Sequence, residues 1–158
     1  MKKEVQKKLK SPKFEIHLTL TGPYINFSQS FRNSLSIFSK KAPTFKIELD
    51  GYNFKDEFYR SFFISVKDNI MLNNMRDEIY KLNPYSLNSD YKPHLSLAYG
   101  RHSHRDKEKL VKVLPAKLDS ITLDRISIVK VNEIKEIWKV LETFKLKKTI
   151  RDDFEFKF

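Results

Sequence analysis

Cysteine is absent from the 158 residues of this chain. Disulfides, thiolate zinc sites and cysteine nucleophiles are therefore excluded, and the protein needs no oxidising compartment. Long apolar runs are also missing, since the longest, such as residues 62–66, are far too short to cross a bilayer. The Lys-rich start lacks the apolar segment of a signal peptide. We expect a cytoplasmic monomer that has no membrane partner.

Acidic residues are few relative to basic ones. The chain has 31 Lys and Arg against 20 Asp and Glu, which gives a formal net charge of +11. This excess favours phosphate-bearing partners, although solvated surface lysines account for it equally well. Hydrophobic residues make up 40% of the chain, which is enough to fill one core. We predict one domain over residues 1–158, in which residues 1–12 form a basic, flexible arm.

Two of the four histidines lie in stretches where polar and apolar residues alternate. In residues 14–20 the even positions are apolar and the odd positions polar, which predicts a half-buried strand with His17 and Thr19 on one face. The stretch around His94 alternates in the same way, so His94 and Ser96 also share a face. Each histidine is thus followed, two residues later, by a hydroxyl on the same face.

The two stretches belong to a sequence repeat. His17-Leu-Thr-Leu aligns with His94-Leu-Ser-Leu, and residues 45–49 then align with residues 121–126. Helical spacing of apolar residues predicts helices at residues 28–41, 70–82 and 103–114. Two copies of a strand-helix-strand unit normally meet about a pseudo-two-fold axis. The polar faces of both histidine strands would then meet in one groove.

Two histidines and two hydroxyls at this spacing suit phosphoryl chemistry. Opening a cyclic phosphate needs a base for the attacking water and an acid for the leaving oxygen, and imidazoles titrate near neutral pH. The hydroxyls can donate to non-bridging phosphate oxygens, where negative charge builds. His102 and His104 form a His-x-His pair, but their charged neighbours favour a solvated loop over a zinc site. We therefore expect neither a metal nor another cofactor.

The two motifs resemble the paired His-x-Thr/Ser-x motifs of the two-histidine phosphoesterase superfamily, which includes cyclic phosphodiesterases and bacterial 2′-5′ RNA ligase-like proteins. The resemblance covers roughly residues 14–146. It implies an α+β fold with two lobes related by a pseudo-two-fold axis, whose antiparallel sheets surround a central groove. It also implies that His17 and His94 are the acid and base pair, in an order that stays open. Thr19 and Ser96 would hold the phosphate.

The start of the chain departs from this resemblance. Members of the superfamily usually have a strand and a helix before the first motif, whereas only 13 residues, many of them charged, precede Phe14. The aromatic tail at residues 154–158 could replace the missing edge strand. That hypothesis predicts a loss of solubility when the tail is deleted.

A few further side chains are candidates for binding. The resemblance implies that Tyr99 contacts the substrate, and Tyr24 is either a base-stacking side chain or a turn aromatic. Arg60 and Arg101 flank the proposed groove in sequence and could bind phosphate, but a solvated surface is the commoner fate of an arginine. We assign Trp138 and the phenylalanines to the core, and allow one of these aromatics at the groove.

The leading hypothesis is a metal-independent cyclic phosphodiesterase, a phosphoric diester hydrolase. Its substrate would be a 2′,3′-cyclic phosphate on a nucleotide or an RNA end, or an ADP-ribose cyclic phosphate. A first alternative keeps the chemistry but acts on 2′-5′ linkages or cyclic oligonucleotides, by cleavage or ligation. A second alternative is a noncatalytic RNA-binding module, whose sign would be a missing histidine or hydroxyl. None of the four motif residues is missing.

Overall fold

The computed structural model describes residues 1–24, 27–84, 91–116, 118–132 and 137–148. Within these ranges the helices are α1 (Lys2–Lys8), α2 (Gln29–Lys41), α3 (Ile70–Leu82) and α4 (His104–Val113). A short 3₁₀ helix covers Phe58–Arg60. The strands are β1 (Phe45–Ile47), β2 (Leu49–Phe54), β3 (Phe62–Val66), β4 (His94–Ala98), β5 (Ile121–Leu123), β6 (Arg125–Asn132) and β7 (Ile137–Lys145).

These strands pair antiparallel. β1 pairs with β5, β6 pairs with β7, and β3 lies between β2 and β4 in a three-stranded sheet. The predicted α+β class with antiparallel sheets is confirmed. The three predicted helices correspond to α2, α3 and α4. The side chains of Ser28, Asn69 and Ser103 cap them, each accepting a hydrogen bond from a backbone N–H three residues later.

Buried side chains form two hydrophobic clusters. The first surrounds the sheet of β2, β3 and β4 and includes residues of α1 and α4. The second joins α2 and α3 to the β6 and β7 pair. Leu20 and Phe45 pack against both clusters, so the two clusters adjoin one another. This arrangement agrees with the two lobes that the resemblance implied.

The repeat is visible in the pairing of β1 with β5. The two sequence stretches that align in the repeat lie side by side, with Phe45 opposite Leu123 and Ile47 opposite Ile121. Antiparallel pairing of equivalent strands is what a pseudo-two-fold axis produces, because the axis reverses the direction of one copy relative to the other. The internal repeat is therefore also a spatial one.

The predicted flexible arm at residues 1–12 is instead packed against the fold. Val5 is fully buried and Leu9 is 5% exposed, and both belong to the first hydrophobic cluster. The backbone N–H of Tyr99 donates to the Ser11 hydroxyl at 2.9 Å. The physical reason is that Val5 and Leu9, four residues apart, lie on one face of a helix, while the lysines occupy its other faces.

The predicted strand at residues 14–20 is also reduced. It carries one isolated bridge, between Leu18 and Leu95, and no continuous ladder. The predicted alternation holds only in part. Phe14 is 7% exposed and Leu18 and Leu20 pack against the first cluster, but Ile16 is 46% exposed while His17 is half-buried. The proposed edge strand at residues 154–158 lies outside the described residues. In the described part of the chain no helix combines the length and apolarity that a membrane span requires.

Candidate active site

The two histidine motifs lie against each other. Leu18 forms an antiparallel bridge with Leu95, and each of these leucines directly follows a motif histidine. The same antiparallel register sets residue 17 opposite residue 96 and residue 19 opposite residue 94. Side chains directly opposite have Cβ atoms roughly 4.5 to 5.5 Å apart, and diagonal neighbours lie roughly 7 to 8 Å apart.

This register brings the four predicted motif residues into one constellation. His17 faces Ser96 of the other motif, and His94 faces Thr19. The leucines between them point to the opposite side, where Leu95 is 3% exposed within the first cluster. Both imidazoles and both hydroxyls therefore share one face of the paired segments, with the histidines at diagonal corners.

The backbone fixes the same tautomer in both histidines. The ring Nδ1 of His17 lies 2.7 Å from the carbonyl oxygen of Glu15, and Nδ1 of His94 lies 3.0 Å from that of Lys92. A carbonyl oxygen can only accept, so each Nδ1 carries a proton and donates it. The neutral rings consequently leave Nε2 as the acceptor. Nε2 is therefore the atom through which each ring can take up or release a proton.

A polar chain links the two motifs through Tyr99. The Tyr99 hydroxyl donates to Nε2 of His17 at 2.8 Å. A side-chain hydrogen bond also joins Ser96 to the same phenol. Burial raises the pKa of Tyr99 to about 12, so the phenol is neutral and available as a donor. The sequence prediction that Tyr99 belongs to this site is supported by its position.

Both imidazoles are harder to protonate than a free histidine. Burial lowers the pKa of His17, and the charges of Lys2 and His94 lower it further, against a backbone hydrogen bond that raises it. Burial likewise lowers the pKa of His94, with Arg60 and Lys55 adding to the effect. That His94 perturbs His17 electrostatically indicates that the two rings are close enough to be coupled.

The surroundings of His94 are basic. The ring of Phe63 contacts His94 edge-on at 5.0 Å, and the Arg60 guanidinium carbon lies 5.5 Å from the Phe63 ring centre. The Arg60 Nε atom is buried and has no hydrogen-bond partner within the described protein atoms. The positive charge of Arg60 acts on His94 and lowers its pKa, so this half of the site favours an anionic group.

Lys107 holds the segment just before the 3₁₀ helix that carries Arg60. This lysine of α4 is fully buried, and its ammonium donates to the backbone oxygen of Lys55 at 2.9 Å and to a carboxylate oxygen of Asp56 at 2.7 Å. The Gly100 N–H donates to the carbonyl of Phe58 at 2.9 Å and so ties the 3₁₀ helix to the end of β4. The position of Arg60 is thus tied to that of the second motif.

The surroundings of His17 are aromatic. Its ring lies 4.9 Å from that of Trp138, 5.6 Å from Phe14 and 6.1 Å from Tyr99, measured between ring centres. Phe14 in turn stacks on Tyr99 at 4.1 Å. Trp138, which the sequence analysis assigned to the core, is only half-buried and stands beside His17. It is therefore an aromatic of the groove, which the interpretation of the sequence allowed, rather than a core residue.

The other candidates from the sequence lie in different environments. Tyr24 packs on Phe27 and Phe31, and its hydroxyl bonds that of Thr21, so none of these contacts links it to the motif residues. His102 Nε2 donates to the Tyr99 carbonyl, and His104 pairs with Glu108 and packs on Phe54. No group of three or more potential metal-ligating side chains occurs among the described residues.

The positions of Arg60 and Trp138 near the two histidines were not predicted from the sequence. Neither belongs to a repeat, and neither follows a motif at a fixed spacing. Arg60 lies against Phe63, which contacts His94, and Trp138 at the start of β7 lies beside His17. For Trp138 the one available signal was its rarity, since it is the single tryptophan of the chain.

Solved structures share this fold. A crystal structure described as a phosphoesterase matches with a TM-score of 0.57 at 15% identity, covering 91% of this chain and 92% of that one. Apo LigT of E. coli matches with 0.59 at 14% identity, covering 90% and 82%. The protein TT0787 of Thermus thermophilus matches with 0.54 at 16% identity, covering 93% and 90%.

Sequence comparison gives the family. None of the curated proteins matches the sequence. The family model described as the 2′-5′ RNA ligase superfamily matches residues 5–134, which is most of the chain and includes both histidine motifs. The chain therefore belongs to the 2′-5′ RNA ligase superfamily, the two-histidine phosphoesterases.

Proposed function

We propose that this protein is a metal-independent cyclic phosphodiesterase that opens 2′,3′-cyclic phosphates on nucleotides or RNA ends. The observation that carries the proposal is the antiparallel bridge between Leu18 and Leu95, whose register sets each motif histidine opposite the hydroxyl of the other motif. It supports a phosphate lying between two imidazoles, each presenting Nε2, with one hydroxyl beside each ring. ADP-ribose cyclic phosphate fits the same chemistry.

The reaction uses one imidazole as base and the other as acid. The neutral ring takes a proton from water at Nε2 while the water oxygen bonds to phosphorus. The protonated ring gives its Nε2 proton to the ribose oxygen as the phosphorus–oxygen bond to that oxygen breaks. The product is a phosphomonoester, and the two rings end with their protonation states exchanged. Either histidine can begin as the base.

The remaining site residues stabilise charge and position. Thr19 and Ser96 donate to the non-bridging phosphate oxygens. Tyr99, which donates to His17 in the free protein, releases Nε2 when substrate arrives and donates to a phosphate oxygen instead. Arg60, whose Nε has no partner within the described protein atoms, binds a phosphate oxygen on the His94 side.

A second candidate is transfer across a 2′-5′ linkage. The superfamily description names 2′-5′ RNA ligation, and the same acid and base pair serves that reaction in both directions. In ligation a 5′-hydroxyl replaces water as the nucleophile that attacks the cyclic phosphate. Water is far more concentrated than any RNA end, so hydrolysis is the expected net reaction.

The test is hydrolysis in the presence of a chelator. The substrates are 2′,3′-cyclic AMP, an RNA with a cyclic-phosphate end, ADP-ribose cyclic phosphate and a 2′-5′ oligoadenylate, with a 5′-hydroxyl RNA added to detect ligation. We expect turnover of a cyclic phosphate that falls by at least about 10³-fold in both His17→Ala and His94→Ala. The matched control is His104→Ala, an exposed histidine that pairs with Glu108.

Three outcomes separate the candidates. Loss of activity in both motif variants but not in the control supports the two-histidine mechanism, and the substrate that turns over identifies the class. Turnover of the oligoadenylate alone favours the 2′-5′ phosphodiesterase. Absence of turnover on every substrate by folded protein, verified by its thermal transition, contradicts the proposal and leaves the RNA-binding module.

A further inference from the structure

The aromatic side chains beside the two histidines differ in how accessible they are. In the part of the chain that the structure describes, the rings that contact His17 or His94 are those of Phe14, Tyr99, Phe63 and Trp138. The first three are 5% to 7% exposed. Trp138 is half-buried. A buried ring has neighbours on its faces and cannot receive a ligand without moving, so Trp138 is the ring of this group that a ligand can reach.

Trp138 also has a suitable orientation. Its ring lies 4.9 Å from the imidazole of His17 at an interplanar angle of 31°, an inclined contact rather than a flat stack. Phe14, 6.4 Å from Trp138, stacks on Tyr99, so these aromatic rings lie together beside His17. An indole has two faces, so a planar ligand can stack on Trp138 beside the proposed phosphate position.

The two ends of the site favour different chemical groups. At the His94 end, Arg60 and Lys55 lower the pKa of the histidine by their positive charges, and Arg60 has a buried donor without a partner among the described atoms. At the His17 end three aromatic rings contact the histidine, and the charge of Lys2 also acts on it. A substrate with one anionic part and one planar apolar part would therefore place its planar part next to Trp138.

We infer that the half-exposed indole of Trp138 is the platform on which a nucleobase of the substrate stacks, at the His17 end of the site. This inference rests on the proposed function and narrows it, because it requires a substrate that carries a base rather than a simple cyclic phosphate. The base lies on Trp138, the phosphate lies between the two imidazoles, and the charged end of the site is left for further phosphates of an RNA chain or a dinucleotide.

Tryptophan fluorescence tests this directly, since Trp138 is the only tryptophan in the chain. Adenosine 3′-phosphate is titrated into the protein, with excitation at the red edge of the indole band, where adenine does not absorb. We expect saturable quenching, because stacking on adenine quenches indole emission. Glycerol 2-phosphate, which carries the same type of phosphate without a base, is expected to leave the emission unchanged.

Variants measure what the stacking contributes. In Trp138→Leu we expect the Kd for adenosine 3′-phosphate, measured by calorimetry, to rise about tenfold, as loss of one base stack does in other sites. The Kd for glycerol 2-phosphate should not change, and Trp138→Phe should recover part of the loss. Tyr52→Leu is the matched control, because Tyr52 is a half-buried aromatic of β2 that packs on Phe62 instead.

The outcomes distinguish this inference from the proposed function. If adenosine 3′-phosphate quenches the emission of the unchanged protein and binds Trp138→Leu more weakly, but no substrate is hydrolysed, the base platform is supported and the hydrolase is rejected. Hydrolysis of 2′,3′-cyclic AMP with an unchanged KM in Trp138→Leu keeps the hydrolase and rejects the platform. Absence of quenching by adenosine 3′-phosphate, or equal quenching by glycerol 2-phosphate, also overturns the platform.

Discussion

His17 and His94 have matching backbone contacts but different neighbours. Each ring donates from Nδ1 to the carbonyl two residues earlier, and each faces the hydroxyl of the other motif. Around them the two halves of the site diverge. His17 contacts three aromatic rings, whereas His94 contacts one buried phenylalanine and is influenced by the charges of Arg60 and Lys55.

This difference separates two tasks of the site. The part that the repeat makes symmetrical contains the groups that phosphoryl chemistry needs, namely two proton carriers and two hydroxyl donors. The part that breaks the symmetry comes from elements unique to each half, the 3₁₀ helix beside β3 and the start of β7. Under the proposed function, the repeated elements would determine the reaction, and the unrepeated elements would determine the choice and orientation of the substrate.

After the loss expected for the two histidine variants, the largest expected effect comes from removing the motif hydroxyls. We expect Thr19→Val and Ser96→Ala each to lower kcat by about 10²- to 10³-fold, because each removes a donor to the phosphoryl oxygens. Ser96 is 3% exposed and bonded to Tyr99, whereas Thr19 is exposed, so Ser96→Ala should also lower the melting temperature and Thr19→Val should not. Steady-state kinetics and thermal unfolding measure both effects.

The control is Ser127→Ala, which removes an exposed hydroxyl from β6 that bonds Thr143. It should leave kcat unchanged. A large loss in only one of the two motif variants would break the symmetry that the cross-strand pairing indicates. It would show that one hydroxyl alone holds the phosphate.

The next effect concerns Lys107, which holds the turn that carries Arg60 on the His94 side of the site. Lys107→Met removes both bonds of a fully buried ammonium and leaves the Lys55 carbonyl without its donor, which should lower the free energy of unfolding by about 1 to 3 kcal/mol. Lys109→Met, an exposed position on the same helix, should change it by less than about 0.5 kcal/mol. Equal denaturation midpoints for the two variants would contradict the anchor.

The symmetrical part of the site could be predicted from the sequence. Residues that share a strand face are two apart, so the alternation around His17 and His94 was enough to place each histidine on the same face as the hydroxyl of its own motif. The repeat then implied that the two motifs meet, and the Leu18 to Leu95 bridge bears this out. Helices α2 and α3 were equally predictable, because their apolar spacing is a local property of the chain.

The asymmetrical part could not be predicted, because it depends on contacts between distant segments. Trp138 lies about 120 residues after His17 in sequence, and only the course of β7 brings the rings together. Arg60 lies against Phe63, which contacts His94. The packing of residues 2–8 against the fold was missed for a different reason, since the two buried side chains of this segment were outweighed in the pattern by the lysines around them.

A smaller effect is expected when Arg60 loses its charge. Arg60→Met should raise KM for a cyclic-phosphate substrate about tenfold and change kcat little, because Arg60 binds the phosphate before and during the reaction alike. Arg101→Met, an exposed arginine beside the second motif, removes the same charge and should leave KM unchanged. If both variants raised KM equally, and salt abolished the effect, general attraction by the net charge would explain it instead.

The smallest effect, a pH shift, assigns the acid and the base. Activity is lost below the pKa of the base, which must be neutral, and above the pKa of the acid, which must be protonated. Both histidine pKa values are lowered, chiefly by burial, so the bell-shaped profile of kcat/KM should lie on the acid side of the ordinary histidine pKa of about 6.5.

Lys55→Met removes a charge that lowers the His94 pKa and frees Glu57, which raises it, so the pKa of His94 should rise. If the acid limb of the profile moves to higher pH, His94 is the base; if the alkaline limb moves, His94 is the acid. A profile that does not move, while an NMR titration shows the His94 shift, would mean that neither limb reports on His94.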